Sequence, residues 1–362
     1  MTRSSTRRLA AALALTVASV TLTACGGGGD SDGAGNPGGE QVTLVTHDSF
    51  NVSPEVLERF TEETGYRVQI LRAGDAGVMV NQAVLSKNNP QGDVLFGIDN
   101  TLLSRALDEG VFAPYEAAGL EAIPETYQLD AGEHRVTPVD TGDICVNYDR
   151  AYFAEHDLAP PQTLDDLIDP AYRDLLVVQN AATSSPGLGF LLSTVAAYGD
   201  DGWEEYWQAL RDNGVEVVDG WEQAYNERFS GAAGGAGDRP LVVSYASSPP
   251  VEVIYGEGEL PEEGPTGVST GTCFRQIEFA GLLSGAGNPE GGQALLDFLI
   301  GQDFQEDLPL QMFVNPVHPD AELPEEFVTY GETIEEPLTM EPQRIAEHRE
   351  SWVAAWTSLV IR

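Results

Sequence analysis

The feature that most constrains the fold of this chain is a regular alternation of short apolar runs with amphipathic segments. The pattern predicts buried strands at 41–47, 66–73 and 92–99. Helices are predicted between them, at 53–65 and 77–87. The first helix has a preferred N-cap residue, a proline in its first turn and a terminal glycine. A strand-helix-strand-helix-strand series implies parallel strands with right-handed crossovers, so the fold class is α/β and ligands are expected at the carboxyl ends of the strands.

The same plan returns further along the chain, where 174–199 and 240–256 each contain an apolar run, a polar turn and a helix start. Three helix starts carry a Ser-Pro pair, beginning at Ser53, Ser185 and Ser248. A helix start leaves backbone N–H groups without intrahelical partners, so each is expected to offer donors to a ligand oxygen or phosphate. Near the end of the chain, Trp352 and Trp356 fall on one helical face, which predicts a core position for both.

The charge balance excludes some classes of partner. The chain has 18 Lys and Arg against 58 Asp and Glu, a formal net charge of −40. Such a surface repels nucleic acid and anionic lipid, so nucleic-acid binding is not expected. The apolar content of 42% is that of a globular protein. The part that follows residue 40 is long enough for two lobes.

The first 40 residues have the pattern of an export signal followed by a linker. Three arginines precede an uncharged stretch over 9–24, which predicts a signal peptide at 1–24. The ending Leu-Thr-Ala-Cys resembles the lipobox of bacterial lipoproteins, which implies that Cys25 is lipidated and anchors the protein to a membrane. The alternative is an ordinary signal peptide with an incidental cysteine. The run at 25–40 is almost free of apolar side chains and is expected to be a flexible tether.

Two further cysteines, Cys145 and Cys273, lie in strand-like runs. In an oxidising exterior, two cysteines far apart in sequence favour a disulfide over a metal pair, although the residues alone leave both open. Catalytic functions find little support: the five histidines show neither metal-ligand spacing nor a G-x-S-x-G elbow partner, and Ser-Ser-Pro-Gly-Leu-Gly is not a P-loop. We therefore expect no enzyme activity, catalytic residue, cofactor or metal. A secreted hydrolase or an adhesion lipoprotein is the lesser alternative.

Several motifs are similar to one family. The chain resembles the type II periplasmic solute-binding proteins, and within them the thiamine-binding components of ABC importers. The most distinctive motifs are Ser-Ser-Pro-Gly-Leu-Gly (184–189), Gly-Trp-x-x-Ala-Tyr (220–225) and Ser-Tyr-x-x-Ser-Pro (244–249). Other matching stretches occur in the same order along the chain, at 45–50, 93–103, 315–327 and 348–360.

The resemblance implies a two-lobed fold that closes over its ligand, with two crossover strands forming the hinge. Lobe 1 is expected to comprise 41–143 and 272–362, and lobe 2 to comprise 144–271. Cys145 and Cys273 fall in the two crossover strands, which implies a disulfide that ties them together. The implied ligand is thiamine or its phosphates, the implied partner is an ABC transporter permease, and a monomer is expected.

The family's ligand contacts, transferred by motif, fall on a defined set of residues. Trp221 and Tyr245 are expected to present ring faces to the flat, cationic ligand, with assistance from Tyr225. Ser184 and Ser185 suit its hydroxyethyl or phosphate tail. Asp48 is expected either to cap the following helix or to contact the ligand. The remaining expected contacts are Asp75, Ala76, Gly77, Ala246, Ser247, Ser248 and Phe313.

The chain also departs from the family pattern. His47 stands where the family usually has an aromatic residue, and Phe313 replaces a late tryptophan of the cleft. These changes imply reduced or rearranged stacking on the pyrimidine. The nearest alternative ligands for the same fold are a polyamine, which Asp48, Asp75 and Asp99 would suit, or a ferric ion. Asp99 and Asn100 are expected either to line the cleft or to end their strand.

Overall fold

The computed structural model describes residues 40–256 and 260–362. The predicted signal peptide, Cys25 and nearly all of the predicted tether lie outside these residues. Among the described residues, no helix combines the length and apolar character needed to cross a bilayer.

The strands form one mixed sheet in the order β2-β1-β3-β8-β4-β7-β5-β6, with β9 paired to β4. Parallel pairing joins β1 to β2 and to β3, as the first series predicts, and it also joins β5 to β6 and to β7. The strands are β1 (Gln41–Thr46), β2 (Arg67–Arg72), β3 (Val94–Asp99), β4 (Thr137–Asp149), β5 (Leu176–Gln179), β6 (Glu216–Val218), β7 (Leu241–Tyr245), β8 (Thr266–Leu282) and β9 (Asn315–Pro316).

The two longest strands, β4 and β8, pair with each other in antiparallel fashion at the centre of the sheet. They separate the parallel group β1–β3 from the parallel group β5–β7. These are the two strands predicted to cross between the lobes. The sheet is mixed because the chain leaves the group β1–β3 through β4 and returns to it through β8. These two strands run in opposite directions, and each pairs in antiparallel fashion with one of the parallel groups.

Ten α-helices connect and cover the strands of the described residues, together with short 3₁₀ and π segments. The α-helices are α1 (Pro54–Thr64), α2 (Ala76–Ser86), α3 (Leu103–Asp108), α4 (Arg150–Glu155), α5 (Ser185–Asp212), α6 (Pro249–Ile254), α7 (Pro289–Leu299), α8 (Gln302–Met312), α9 (Glu325–Tyr330) and α10 (Pro342–Trp356).

The predicted helix starts are confirmed in position. The N-cap of α1 is Ser53 and its C-cap is Gly65, whose φ of 78° lies in the left-handed region that glycine adopts without strain. The prediction that each start offers donors to a ligand is wrong for α1. The Ser53 N–H and hydroxyl donate to the Asp307 carboxylate at 2.8 and 2.6 Å, so a side chain of α8 occupies this helix start.

The predicted tryptophan core is confirmed at α10. Trp356 is fully buried and meets Trp207 of α5 edge-on, with ring centroids 5.4 Å apart. The Trp207 indole N–H donates to the Thr194 hydroxyl at 2.9 Å. Trp352 is buried beside them. Both α10 tryptophans therefore pack inside the protein rather than in a ligand site.

A disulfide joins the two central strands. Cys145 of β4 and Cys273 of β8 are bonded, 128 residues apart in sequence. Both are buried in a small apolar cluster with Val268 and Ile334. Since the bond closes a long loop, the chain-entropy model assigns it about 5 kcal/mol of stabilisation.

We predict that reducing this bond lowers the free energy of unfolding by up to about 5 kcal/mol, because the unfolded chain regains the entropy of the open loop. Urea unfolding of protein that begins after Cys25 measures the change, with and without reductant. The control is the Cys145→Ala, Cys273→Ala double variant, whose unfolding should be insensitive to reductant. Two titratable thiols in the denatured, unreduced protein would contradict the bond.

Candidate functional site

A cavity lies where the carboxyl ends of several strands meet. It encloses about 480 Å³ of empty volume, part of it open to solvent. His47 follows β1, Tyr245 ends β7, and Trp221 lies in the turn after β6. The strand ends thus supply the site, as the parallel strand order predicts. The lining residues are His47, Ser49, Asp75, Ala76, Ser185, Pro186, Trp221, Tyr245, Glu278, Met312 and Val314.

Trp221 is fixed by three contacts. Its indole N–H donates to the Ser244 hydroxyl at 3.0 Å, and its backbone N–H donates to the Asp75 carboxylate at 3.0 Å. Its ring stacks on Tyr225 with centroids 4.9 Å apart and planes 13° apart. The hydroxyl of Tyr225 donates to Glu252 at 2.6 Å. Trp221 is therefore held in one orientation at the cavity wall, which lowers the entropic cost of stacking a flat ligand on it.

Tyr245 lies against β4 at a glycine. A Cβ atom at Gly142 would come within 2.8 Å of Cδ1 of the Tyr245 ring, so the ring can lie here only because position 142 has no side chain. Burial is the first cause that raises the pKa of Tyr245 well above its usual value, and nearby carboxyl groups, Glu278 first, add to it. The phenol therefore stays protonated throughout the physiological range.

Asp75 links two segments that are distant in sequence. It caps α2 by accepting the Ala76 N–H at 2.7 Å, and it accepts the Trp221 N–H. Burial raises the pKa of Asp75, while hydrogen bonds from Trp221 and Ser184 oppose that rise. The adjoining helix turn is close-packed, because a Cβ atom at Gly77 would lie 2.6 Å from the Thr183 carbonyl oxygen. The Asp75-Ala76-Gly77 turn thus contacts the start of α5 directly.

A second, more open depression shares Ser49, Trp221 and Met312 with the first cavity, and its empty volume of about 900 Å³ includes open solvent. Tyr225 and Phe313 line it, so both predicted aromatic residues lie beside the site rather than in its first cavity. Phe313 has a φ of 60°, an uncommon conformation for an aromatic residue. Its carbonyl oxygen accepts the Ser247 hydroxyl at 2.6 Å, a contact that holds this backbone in place.

Several other predicted residues support the cavities without lining either of them. Asp48 accepts the Gly74 N–H at 3.1 Å, and the α1 cap is Ser53, so the capping alternative for Asp48 is wrong. Ser248 pairs with the Ser244 hydroxyl at 2.9 Å, which in turn accepts the Trp221 indole. Ala246 packs against the disulfide cluster. Ser248 therefore helps to orient Trp221, through Ser244, and also accepts the Tyr245 N–H. Ser247 helps to hold the backbone at Phe313.

The sequence interpretation missed Glu278 as a lining residue. Glu278 is 5% exposed, faces the first cavity, and lies in the otherwise apolar run that ends β8. Its signal was present: Gln276 and Glu278 are polar residues two positions apart in a buried strand, and therefore on one face. His47 was noted only as a departure from the family pattern, although it lines the cavity.

Carboxyl groups accumulate beneath this cavity. Asp99 ends β3 and is fully buried; it accepts hydrogen bonds from Thr101 and from Gln276, the latter at 2.7 Å. It therefore ends its strand, and it lies behind the cleft rather than lining it. Burial raises the pKa of Asp140 to about 8, and burial is also the first cause that raises the pKa of Glu278. No cluster of three or more His, Cys, Asp or Glu within the described ranges is arranged to hold a metal ion.

Comparison with models of known protein families shows which family this protein belongs to. Residues 89–330 match the family model described as bacterial extracellular solute-binding protein. The chain belongs to this family. It is therefore a solute-binding protein of a transport system, not an enzyme, and it acts outside the cytoplasm.

Individual relatives narrow the comparison. This solute-binding protein is 29% identical over 329 residues to the thiamine-binding periplasmic protein of Escherichia coli, covering 89% of this chain and 94% of that one. It is also 29% identical to the thiamine-binding periplasmic protein of Brucella melitensis, with 89% and 93% covered. A protein of Synechocystis named iron uptake protein A1 is 24% identical, with 89% and 88% covered.

Solved structures agree on the fold. A periplasmic thiamin binding protein superposes with a TM-score of 0.76 at 27% identity, covering 91% of this chain and 98% of that one. The iron-bound HitA of Pseudomonas aeruginosa has a TM-score of 0.69 at 17% identity, with 88% and 99% covered. The predicted α/β fold of the type II periplasmic binding proteins is confirmed.

We predict that His47 makes the protein sensitive to acid. Burial, aided by the Arg72 charge, lowers the pKa of His47 to about 4 from its usual 6.5. Because the fold favours the neutral ring, the stabilisation is complete above pH 6.5 and is lost as the pH falls towards 4, by up to about 3 kcal/mol. Urea unfolding over that range should show a steeper loss for the wild type than for His47→Gln.

The control for this measurement is His156→Gln, because His156 is exposed. That variant should retain the wild-type slope of unfolding free energy against pH. Equal slopes for the wild type and His47→Gln would show that His47 titrates normally in the folded protein.

Proposed function

We propose that this protein captures thiamine outside the cytoplasm and delivers it to an ABC-type import permease. The observation that carries the proposal is the composition of the first cavity: Trp221 and Tyr245 supply aromatic rings, and Asp75 and Glu278 supply carboxyl groups. No lysine or arginine of residues 40–256 or 260–362 lines it. Two relatives named as thiamine-binding proteins, each matched over most of its length, support the same ligand.

The chemistry of thiamine suits this cavity. The vitamin has a flat aminopyrimidine, a permanently cationic thiazolium and a hydroxyethyl tail. A quaternary cation over an aromatic face gains about 0.5–2 kcal/mol, and a flat heterocycle stacks on a fixed indole. Carboxyl groups in a poorly solvated cavity favour a cation further. The tail, or a phosphate on it, suits Ser184 and Ser185 and the N–H groups at the start of α5.

We propose two lobes with the predicted boundaries, 41–143 with 272–362 and 144–271. They move about the central strands β4 and β8 when the ligand binds. Three contacts between the proposed lobes are consistent with closure. They are Asp75 with Trp221, Ser247 with Phe313, and Gly77 against Thr183. Closure of this kind sequesters the ligand and creates the surface that a permease recognises. The protein is proposed to act as a monomer.

We predict that Trp221→Ala weakens thiamine binding at least tenfold, a loss of about 1.4 kcal/mol or more, because the ligand loses its fixed stacking surface. Calorimetric titration measures this, and Trp221→Phe should recover part of the loss. Trp352→Phe in α10 is the control and should bind normally.

The same titrations should include thiamine monophosphate, thiamine diphosphate, spermidine and ferric citrate. Wild-type protein that binds ferric citrate or spermidine and ignores millimolar thiamine would overturn the proposal in favour of an alternative ligand.

We also propose that Cys25 carries a lipid anchor. Its support is the sequence Leu-Thr-Ala-Cys at the end of the apolar leader, followed by a glycine-rich run. Two acyl chains hold a protein stably at a membrane, where one chain is marginal.

We predict that Cys25→Ser moves the protein from the membrane fraction to the soluble extracytoplasmic fraction. The wild type should incorporate labelled fatty acid and the variant should not. An unlabelled wild type, or a variant that stays labelled, would exclude the anchor at Cys25.

A further inference from the structure

Three carboxyl residues form a row across neighbouring strands directly beneath the first cavity. Asp99 of β3 is paired with Glu278 of β8, and Glu278 is paired with Asp140 of β4. Directly opposed residues on antiparallel strands place their side chains on the same face of the sheet. Asp99 and Asp140 are fully buried, and Glu278 is 5% exposed. The sheet itself therefore concentrates acidic groups at one place.

The three groups differ in their hydrogen-bond donors. Asp99 accepts from the backbone and hydroxyl of Thr101, from the Leu102 N–H and from the Gln276 amide, so its charged form is well satisfied. Neither oxygen of Asp140 receives a hydrogen bond from an amide, hydroxyl or cationic donor of the described chain. The acidic residue directly opposite it is Glu278, and the two carboxyl groups interact electrostatically. Two buried carboxyl groups that oppose each other on neighbouring strands cannot both ionise without a large cost in free energy, so the pair requires a proton.

Charges on the surrounding elements do not remove that requirement. His47, at the end of β1, lies 3.8 Å from Glu278, yet burial and Arg72 of β2 keep its ring neutral. Asp75 at the start of α2 adds negative charge, and Tyr245 of β7 stays protonated. Arg349 of α10 interacts with Asp99. Among the described residues, neither lysine nor arginine lines the first cavity. A cation that enters the cavity is therefore the missing counter-charge.

We propose that the Asp140–Glu278 pair holds one proton in the empty cleft and releases it to solvent when a cationic ligand binds beside Glu278. This inference rests on the proposed thiamine site and assigns Glu278 a role in selecting ligand charge. Glu278 can play this role because it is the member of the row that faces the cavity. The bound cation stabilises the fully ionised pair, so the proton leaves as a hydrogen ion and no bond in the ligand changes.

Because ligand binding is coupled to proton release, the affinity for the ligand depends on pH. Since binding releases a proton, the association constant rises with pH wherever the free pair is protonated. It rises by up to about tenfold per pH unit for complete release. Burial raises the pKa of both Asp140 and Glu278, which extends the rise in affinity into the neutral pH range. A neutral ligand of the same shape should release no proton.

The first experiment counts the proton. Calorimetric titration of the wild type with thiamine, at pH 7 in phosphate and in Tris, separates the buffer ionisation heat from the binding heat. We expect close to one proton released per thiamine bound. The neutral isostere 3-deazathiamine, with carbon in place of the quaternary nitrogen, should bind more weakly and release none. Thiamine binding with no proton released would overturn the inference.

Variants then locate the proton. Glu278→Gln should abolish proton release and flatten the pH dependence of thiamine affinity between pH 6 and 8.5. Asp140→Asn tests the second carboxyl and should give the same loss of release. Glu204→Gln removes one exposed charge from α5 and should behave as the wild type. Full proton release in Glu278→Gln would exclude this pair as its source.

The outcomes separate this inference from the proposed function. If the wild type fails to bind thiamine at all, the proposed ligand is wrong and the inference that rests on it is overturned as well. If the wild type binds thiamine and loses affinity in Trp221→Ala, the site is correct. A binding constant that is independent of pH would then reject only the shared-proton pair.

Discussion

The antiparallel pairing of β4 with β8 is the interaction on which the rest of the structure depends. It separates two parallel groups of strands whose carboxyl ends meet at one cavity. It brings Cys145 next to Cys273, and it aligns Asp140 with Glu278. The backbone pairing of these strands holds Asp140 opposite Glu278, two acidic residues that repel each other when both are ionised. The many backbone hydrogen bonds between β4 and β8 offset the free-energy cost of placing these carboxyl groups side by side.

The proposed ligand requires two kinds of recognition from this cavity, and each depends on different features of the structure. Aromatic recognition depends on orientation, and Trp221 is oriented by Ser244, Asp75 and Tyr225. Charge recognition depends on poor solvation, and Glu278 lies on a buried strand with little exposure. Both requirements are met by rigid elements rather than by loops alone. A solute-binding protein that must release its ligand to a permease benefits from such preorganisation, because closure then orders few side chains.

Much of the fold was predictable because its signals are local. The helix from Pro54 to Thr64 carries its N-cap, proline and terminal glycine in adjacent positions, and these residue types have few other uses. The motif resemblance likewise predicted Trp221, Tyr245, Asp75 and Ser185 as site residues, and all four line the first cavity. The prediction for Ser53 was wrong because Asp307, far along the chain, fills that helix start. Local sequence cannot show which distant side chain will pack there.

The sequence by itself determined the α/β class, the approximate boundaries of α1 and α2 and the aromatic candidates, since each follows from residue type and spacing over a few positions. Only the tertiary structure decided that Asp99, Glu278 and Asp140 stand in one row, because strand register pairs residues that are separated by more than a hundred positions. It also decided that Ser248 and Asp48 support the site instead of lining it. Contacts between distant segments depend on packing and register, and these are properties of the whole chain.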